Sequence, residues 1–203
     1  MTLGRHGDYF LFFGLPRRLA LNQPDLEQRF RALSRQFHPD YFYNSSSAER
    51  LASLERSSYL NDAFRTLRDP IERLEYLLKL EGFAPKESHE ATTQVPPTLL
   101  EEVFELNEEL EAIQEMREGG APAAEVAARL EIARKPIEAN LAEHERQVSA
   151  LMARHDAQRE TGDLAGRHAT LDALRALLVE RTYLTNLIAT VRREAGGEAA
   201  ASR

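Results

Sequence analysis

Apolar residues along this chain recur at spacings of three and four, the signature of helices that bury one face. The segment Asp8-Tyr9-Phe10-Leu11-Phe12-Phe13-Gly14-Leu15, closed by Pro16, predicts one very short helix. A second helix starts around Asn22 to Pro24, where a cap residue and an early proline suit the first turn. Its apolar residues Leu26, Phe30, Leu33 and Phe37 share a face, and it ends near Phe37 because Pro39 pushes His38 out of helical geometry. After the polar loop from Tyr41 to Ser47, Ser46-Ser47-Ala48-Glu49 has the form of a capping box. A third helix follows to about Arg68, burying Leu60, Phe64 and Leu67. Asp69-Pro70-Ile71-Glu72 closes it and opens a fourth, which Leu74, Leu77 and Leu78 carry to Gly82.

Residues 83–97 read as a linker, and beyond them the helices lengthen. One is expected from a Thr98-x-x-Glu101 capping box to Gly119-Gly120. The next begins near Pro122 and carries Val126, Leu130, Ala133, Ile137, Leu141, Val148 and Leu151 at near-heptad spacing. Pro136 should kink or split it. The last runs from about Asp163 to Arg193 with Leu164, Leu171, Leu174, Leu178, Leu184, Leu187, Ile188 and Val191. Short breaks between long amphipathic helices predict a three-helix bundle over 98–193, followed by a disordered tail, 194–203. The fold class is therefore all-α: a helical hairpin with short flanking helices over residues 8–82, then the bundle.

Charge sharpens this division. Residues 1–82 carry 12 basic and 11 acidic side chains, whereas 83–203 carry 14 basic and 22 acidic. So acidic a second half argues against nucleic acid as the partner, since phosphate binding needs clustered Lys and Arg. No apolar run approaches the roughly 20 residues of a membrane-spanning helix, and no secretory signal is visible. The absence of cysteine excludes disulfides and thiolate ligands and fits a reducing cytoplasm. His6, His89, His144, His155 and His168 form no metal-ligand spacing, and neither a nucleotide-binding Gly-rich loop nor a nucleophile elbow appears. We expect no cofactor, no metal and no enzyme.

The sharpest chemical feature is His38-Pro39-Asp40, in a loop between two amphipathic helices. Proline stiffens the turn and presents an imidazole and a carboxylate outward. Arg31 and Arg35, one turn apart and off the apolar face, make a small basic patch beside it, unless they only solvate the helix. With Leu60-Asn61-Asp62-Ala63-Phe64-Arg65-Thr66-Leu67-Arg68-Asp69-Pro70 downstream, residues 8–82 resemble the J-domain family, which carries His-Pro-Asp between its second and third helices. The resemblance implies docking on a DnaK-type ATPase chaperone in its ATP state and stimulation of hydrolysis, with His38, Pro39 and Asp40 in that role. Many members have lysine after the motif; this chain has Tyr41.

The second half has neither a Gly/Phe-rich segment nor a Cys-x-x-Cys zinc repeat. Three stretches are similar to the HscB-type co-chaperones of iron–sulfur biogenesis: Asp8-Tyr9-Phe10 to Phe13-Gly14-Leu15; Arg73-x-Glu75-Tyr76-Leu77-Leu78-x-Leu80-x-Gly82; and Leu106-Asn107-Glu108-Glu109-Leu110-Glu111. That likeness implies an HscA-type chaperone and an IscU-type scaffold as partners. On the bundle's first helix, Leu99, Val103, Leu106, Leu110 and Ile113 fill the core face. Leu100 and Phe104 are left over on a neighbouring face, among Glu101, Glu105, Glu108 and Glu111. An apolar pair ringed by carboxylates suits a client-binding patch. The alternative is a wider core stripe that buries both. Two other functions stay open: a J-protein with a different client, and a helical adaptor with a degenerate J-domain.

Overall fold

The helices begin where most of the capping residues place them. In a computed structural model the order is α1 (Tyr9–Phe12), α2 (Gln23–Phe37), α3 (Ser47–Arg68), α4 (Pro70–Leu80), α5 (Leu100–Glu118), α6 (Ala123–Thr161) and α7 (Leu164–Ala201). Short 3-10 turns occupy Pro39–Phe42 and Pro97–Leu99. The structure describes residues 7–83 and 95–201, of which Pro39 and 195–201 as backbone only, and no strand occurs among them. Residues 84–94, most of the predicted linker, lie outside the described residues. The chain forms two compact units, one of residues 1–84 with 152–167 and the other of 85–151 with 168–203.

In the first unit, Asn22 Oδ1 accepts the Asp25 N–H to start α2, and Ser46 and Glu49 close a reciprocal capping box on α3. Asp69 accepts the Ile71 and Glu72 N–H groups and opens α4 with Pro70 at its first position. Leu26, Leu60, Ala63 and Leu67 join the α2–α3 pair, with Phe30 stacked on Phe64 at 4.1 Å. Across the pair lies a cluster of Tyr9, Phe12, Tyr59 and Tyr76, in which Tyr9 stacks on Tyr76 at 4.4 Å. Burial pushes the phenols of Tyr59 and Tyr76 up, so all three hydroxyls of the cluster remain protonated donors at neutral pH.

Residues 152–167 pack in this unit too, where the sequence pattern assigned them to the bundle. The cause is one buried carboxylate. Asp156 accepts the Leu19 N–H at 3.0 Å and the Ala20 N–H at 2.8 Å, and stands 3.0 Å from His155 Nδ1. Arg18 adds an ion pair with Glu160. Burial alone would raise the Asp156 carboxyl, but the bonds from His155, Ala20 and Leu19 outweigh it and hold it below the usual carboxylate range. A depressed folded-state pKa contributes stability that is present above the unfolded value of about 3.9 and is lost as pH falls through the folded value. Asp156→Ala should therefore destabilise by about 1–3 kcal/mol, because the Leu19 N–H is buried. Urea denaturation of both proteins at pH 7 and near pH 3 checks this; the difference should shrink in acid.

The turn from α6 to α7 is closed by Gly162 at φ +75°, with Asp163 N–H donating back to the Gln158 carbonyl. Leu164, expected to face the core, is exposed because it is the first residue of α7 and no helix covers that position.

The second unit buries Leu99, Val103, Leu106 and Ile113 of its first helix against Val126, Leu130 and Ile137 of α6 and Leu184, Ile188 and Val191 of α7. Two expectations need correction. Thr98 does not cap α5: Pro96 and Pro97 lead into a 3-10 turn, and the Thr98 hydroxyl donates instead to Glu180 on α7 at 2.7 Å. Of the two outcomes expected at Pro136, a kink or a split, the split does not occur, and α6 is one helix from Ala123 to Thr161. Past Glu194, where the sequence pattern ends the bundle, α7 continues to Ala201, and Arg117 bonds both the side chain and the carbonyl of Glu194.

Candidate functional site

The His38 turn is made by what ends α2. Pro39 disfavours helical geometry at His38, which takes ψ 127°, and it offers no N–H to the helix. The last carbonyl is satisfied from across the hairpin: Ser53 Oγ and Ser57 Oγ of α3 both donate to the Phe37 carbonyl, at 2.9 and 2.8 Å. These serines occupy the α3 positions that would otherwise extend the apolar stripe of Leu60 and Leu67. They hold the mouth of the turn in place while its side chains face water. The His38 side chain is 50% exposed and that of Asp40 86%.

Within the turn, His38 Nδ1 accepts the Asp40 N–H at 3.3 Å. In the neutral ring this acceptor role places the proton on Nε2, a donor for a partner. The Asp40 carboxylate lies 3.5 Å from Nδ1 and is otherwise free to accept. The motif is thus a rigid turn offering one donor and one anion.

Arg31 and Arg35 are both exposed on α2, as the spacing predicts. They are not equivalent. Arg31 pairs with Glu27 one turn earlier at 3.1 Å, which spends part of its charge within the helix. Sequence reasoning missed a further feature of this surface: Tyr41, Tyr43, Leu51 and Leu54 are all exposed around the turn and the start of α3. Arg50 ties the two segments by donating to the Tyr43 carbonyl. The signal was present, because Leu51 and Leu54 lie off the face set by Ser53, Ser57 and Leu60.

On α5 the split of apolar residues follows the predicted faces. Leu99, Val103, Leu106 and Ile113 are buried, whereas Leu100 is 55% and Phe104 64% exposed. Leu110 is partly buried against the core. Glu101, Glu105, Glu108 and Glu111 are exposed around the pair. The wider core stripe is therefore not what this helix forms: two apolar side chains one turn apart stand in water among carboxylates. Glu109, by contrast, is tied to Arg129 of α6, whose guanidinium lowers its carboxyl below the usual range.

Among the described residues no three His, Asp or Glu side chains gather as metal ligands, and no helix is long and apolar enough to cross a membrane.

A His-Pro-Asp turn at the tip of a two-helix hairpin, flanked by short helices in a chain that also carries a helical bundle, is the arrangement expected of a J-protein. No family model matches the chain. Its fold is similar to that of chaperone HscB from Vibrio cholerae, with 27% identity over 94% of this chain and 98% of the other, at a TM-score of 0.56. The human co-chaperone protein HscB shares the fold at a TM-score of 0.62 and 24% identity, over 94% of this chain and 83% of that one. The chain thus resembles HscB co-chaperones in fold over nearly its whole length.

Proposed function

We propose that this chain is a co-chaperone that stimulates the ATPase of a DnaK/HscA-type chaperone and delivers an IscU-type iron–sulfur scaffold to it, in the cytoplasm and without catalysis of its own. The observation that carries the reading is the coexistence in one chain of the exposed His38 turn and the exposed Leu100–Phe104 pair. The first suits a chaperone that needs a rigid donor–anion hook. The second suits a client, because an apolar pair inside a polar rim is the usual form of a small interface hot spot. The single most informative experiment is the chaperone's ATP turnover with this chain, with and without the scaffold. Stimulation by the chain, increased further by the scaffold, is the expected result; turnover unchanged by the chain removes the co-chaperone reading.

Arg31 and Arg35 steer encounter with an acidic chaperone surface. Reversing both to Glu should slow association about tenfold at low salt, and Arg35→Glu alone should account for the larger share, because Arg31 already pairs with Glu27. Stopped-flow association at two ionic strengths measures this. Rates unaffected by salt and by the double reversal would make these arginines an ordinary solvated face.

A further inference from the structure

Among the described residues of the second unit, three large apolar side chains are exposed: Leu100, Phe104 and Ile132. The client patch uses the first two. Ile132, 63% exposed, lies on α6 beside a groove of about 250 Å³ between α5 and α6. Ala133 and Pro136 line the α6 side, and Glu102 and Glu105 the α5 side. The hollow follows from the sequence, since alanine fills little space and proline replaces a longer side chain at the next turn. It has room for one side chain: an apolar cavity of roughly 150 Å³ accommodates benzene.

Both ends of the groove are pinned. Arg129 bonds Glu109 at one end, and Asn140 donates to Glu102 at 3.2 Å at the other. Glu105, between them on α5, is exposed. Pro136 has no N–H to donate to the Ile132 carbonyl four residues earlier, so that oxygen lacks its helical donor. The groove thus combines an exposed aliphatic side chain with the exposed carboxylate of Glu105. Everything polar there accepts. A fitting occupant brings an apolar side chain and a cationic donor.

We propose that this groove binds a short segment of the client protein in which an aliphatic residue adjoins Lys or Arg, so that the client straddles α5. Leu100 and Phe104 grip it on one flank of the helix, and the groove with Ile132 grips it on the other. The outward carboxylates Glu101, Glu105 and Glu108 lie between. The inference rests on the client-delivery reading but makes a separate claim, that α6 takes part.

The test uses the full chain and an IscU-type scaffold, with affinity measured by calorimetry. Ile132→Ala should weaken binding about fivefold, and Ile132→Asp more than tenfold, while the chain's basal stimulation of the chaperone stays unchanged. Hydrogen exchange at residues 129–140 should slow when the scaffold binds. If Ile132→Asp binds as tightly as the parent and these amides stay unprotected, the proposal is overturned; the client reading itself survives provided Leu100→Ala with Phe104→Ala still weakens binding. If that double variant binds normally as well, both readings fall. Should Ile132→Asp lower the melting temperature, the exchange measurement on the unaltered chain decides alone.

Discussion

Chaperone ATP turnover should show no stimulation by His38→Gln or Asp40→Asn, whereas the circular dichroism and melting temperature of both variants should match the parent. Two observations make this expectation sharp. Both side chains are exposed, so substituting them should cost less than about 0.5 kcal/mol. The turn, moreover, is held from outside itself, by Ser53 and Ser57 on the Phe37 carbonyl. His38→Gln keeps a polar side chain but loses the fixed ring geometry that commits Nε2 to donation. Asp40→Asn removes the anion and keeps the shape. Persistence of stimulation in either variant would mean that the turn is not the effector. A control sharpens the reading: Ser53→Ala with Ser57→Ala should weaken stimulation and also lower stability by about 1–3 kcal/mol, since the Phe37 carbonyl loses both its donors.

Scaffold affinity should fall by about 2 kcal/mol or more when Leu100 and Phe104 are both replaced by Ala. Folding should be almost unaffected, because neither side chain contributes to the buried cluster of the second unit. Loss of a buried residue of that size would cost about 2–5 kcal/mol and shift the denaturation midpoint visibly. Basal stimulation of the chaperone should persist in this variant, as the His38 turn is intact, and the increment added by the scaffold should disappear. A folded double variant that binds the scaffold normally would place the client elsewhere.

Helix starts and stops were legible in the sequence wherever one side chain suffices to make the signal. Asn22, Ser46 with Glu49, and Asp69 with Pro70 are of that kind, and each caps the helix it announced. So was the split on α5, since Leu100 and Phe104 each follow a core residue, Leu99 and Val103, by one position, which is about 100° round the helix. What escaped depends on contacts distant in sequence. Thr98 looks like a cap until Glu180, 82 residues away, takes its hydroxyl. The serines behind the His38 turn give no signal in the apolar pattern, because the Phe37 carbonyl they bond lies 16 and 20 residues away. Ile132 stands out only beside its groove, which needs a second helix to exist. Arg31 and Arg35 looked alike, and only the Glu27 contact separates them.

The Asp156 contact bears on how freely the N-terminal segment can be moved between proteins. Residues 8–82 contain the whole motif and every helix that presents it, and by sequence they make a self-sufficient cassette. Yet the Leu19 amide, fully buried, finds its acceptor 137 positions downstream. A chimera that grafts only this cassette onto a foreign client-binding segment would strand that amide and open the apolar seat of Leu19 to solvent. Exchange between relatives is therefore best made with the 152–167 hairpin carried along, so that inheritance of the motif and of its distant brace is a single event.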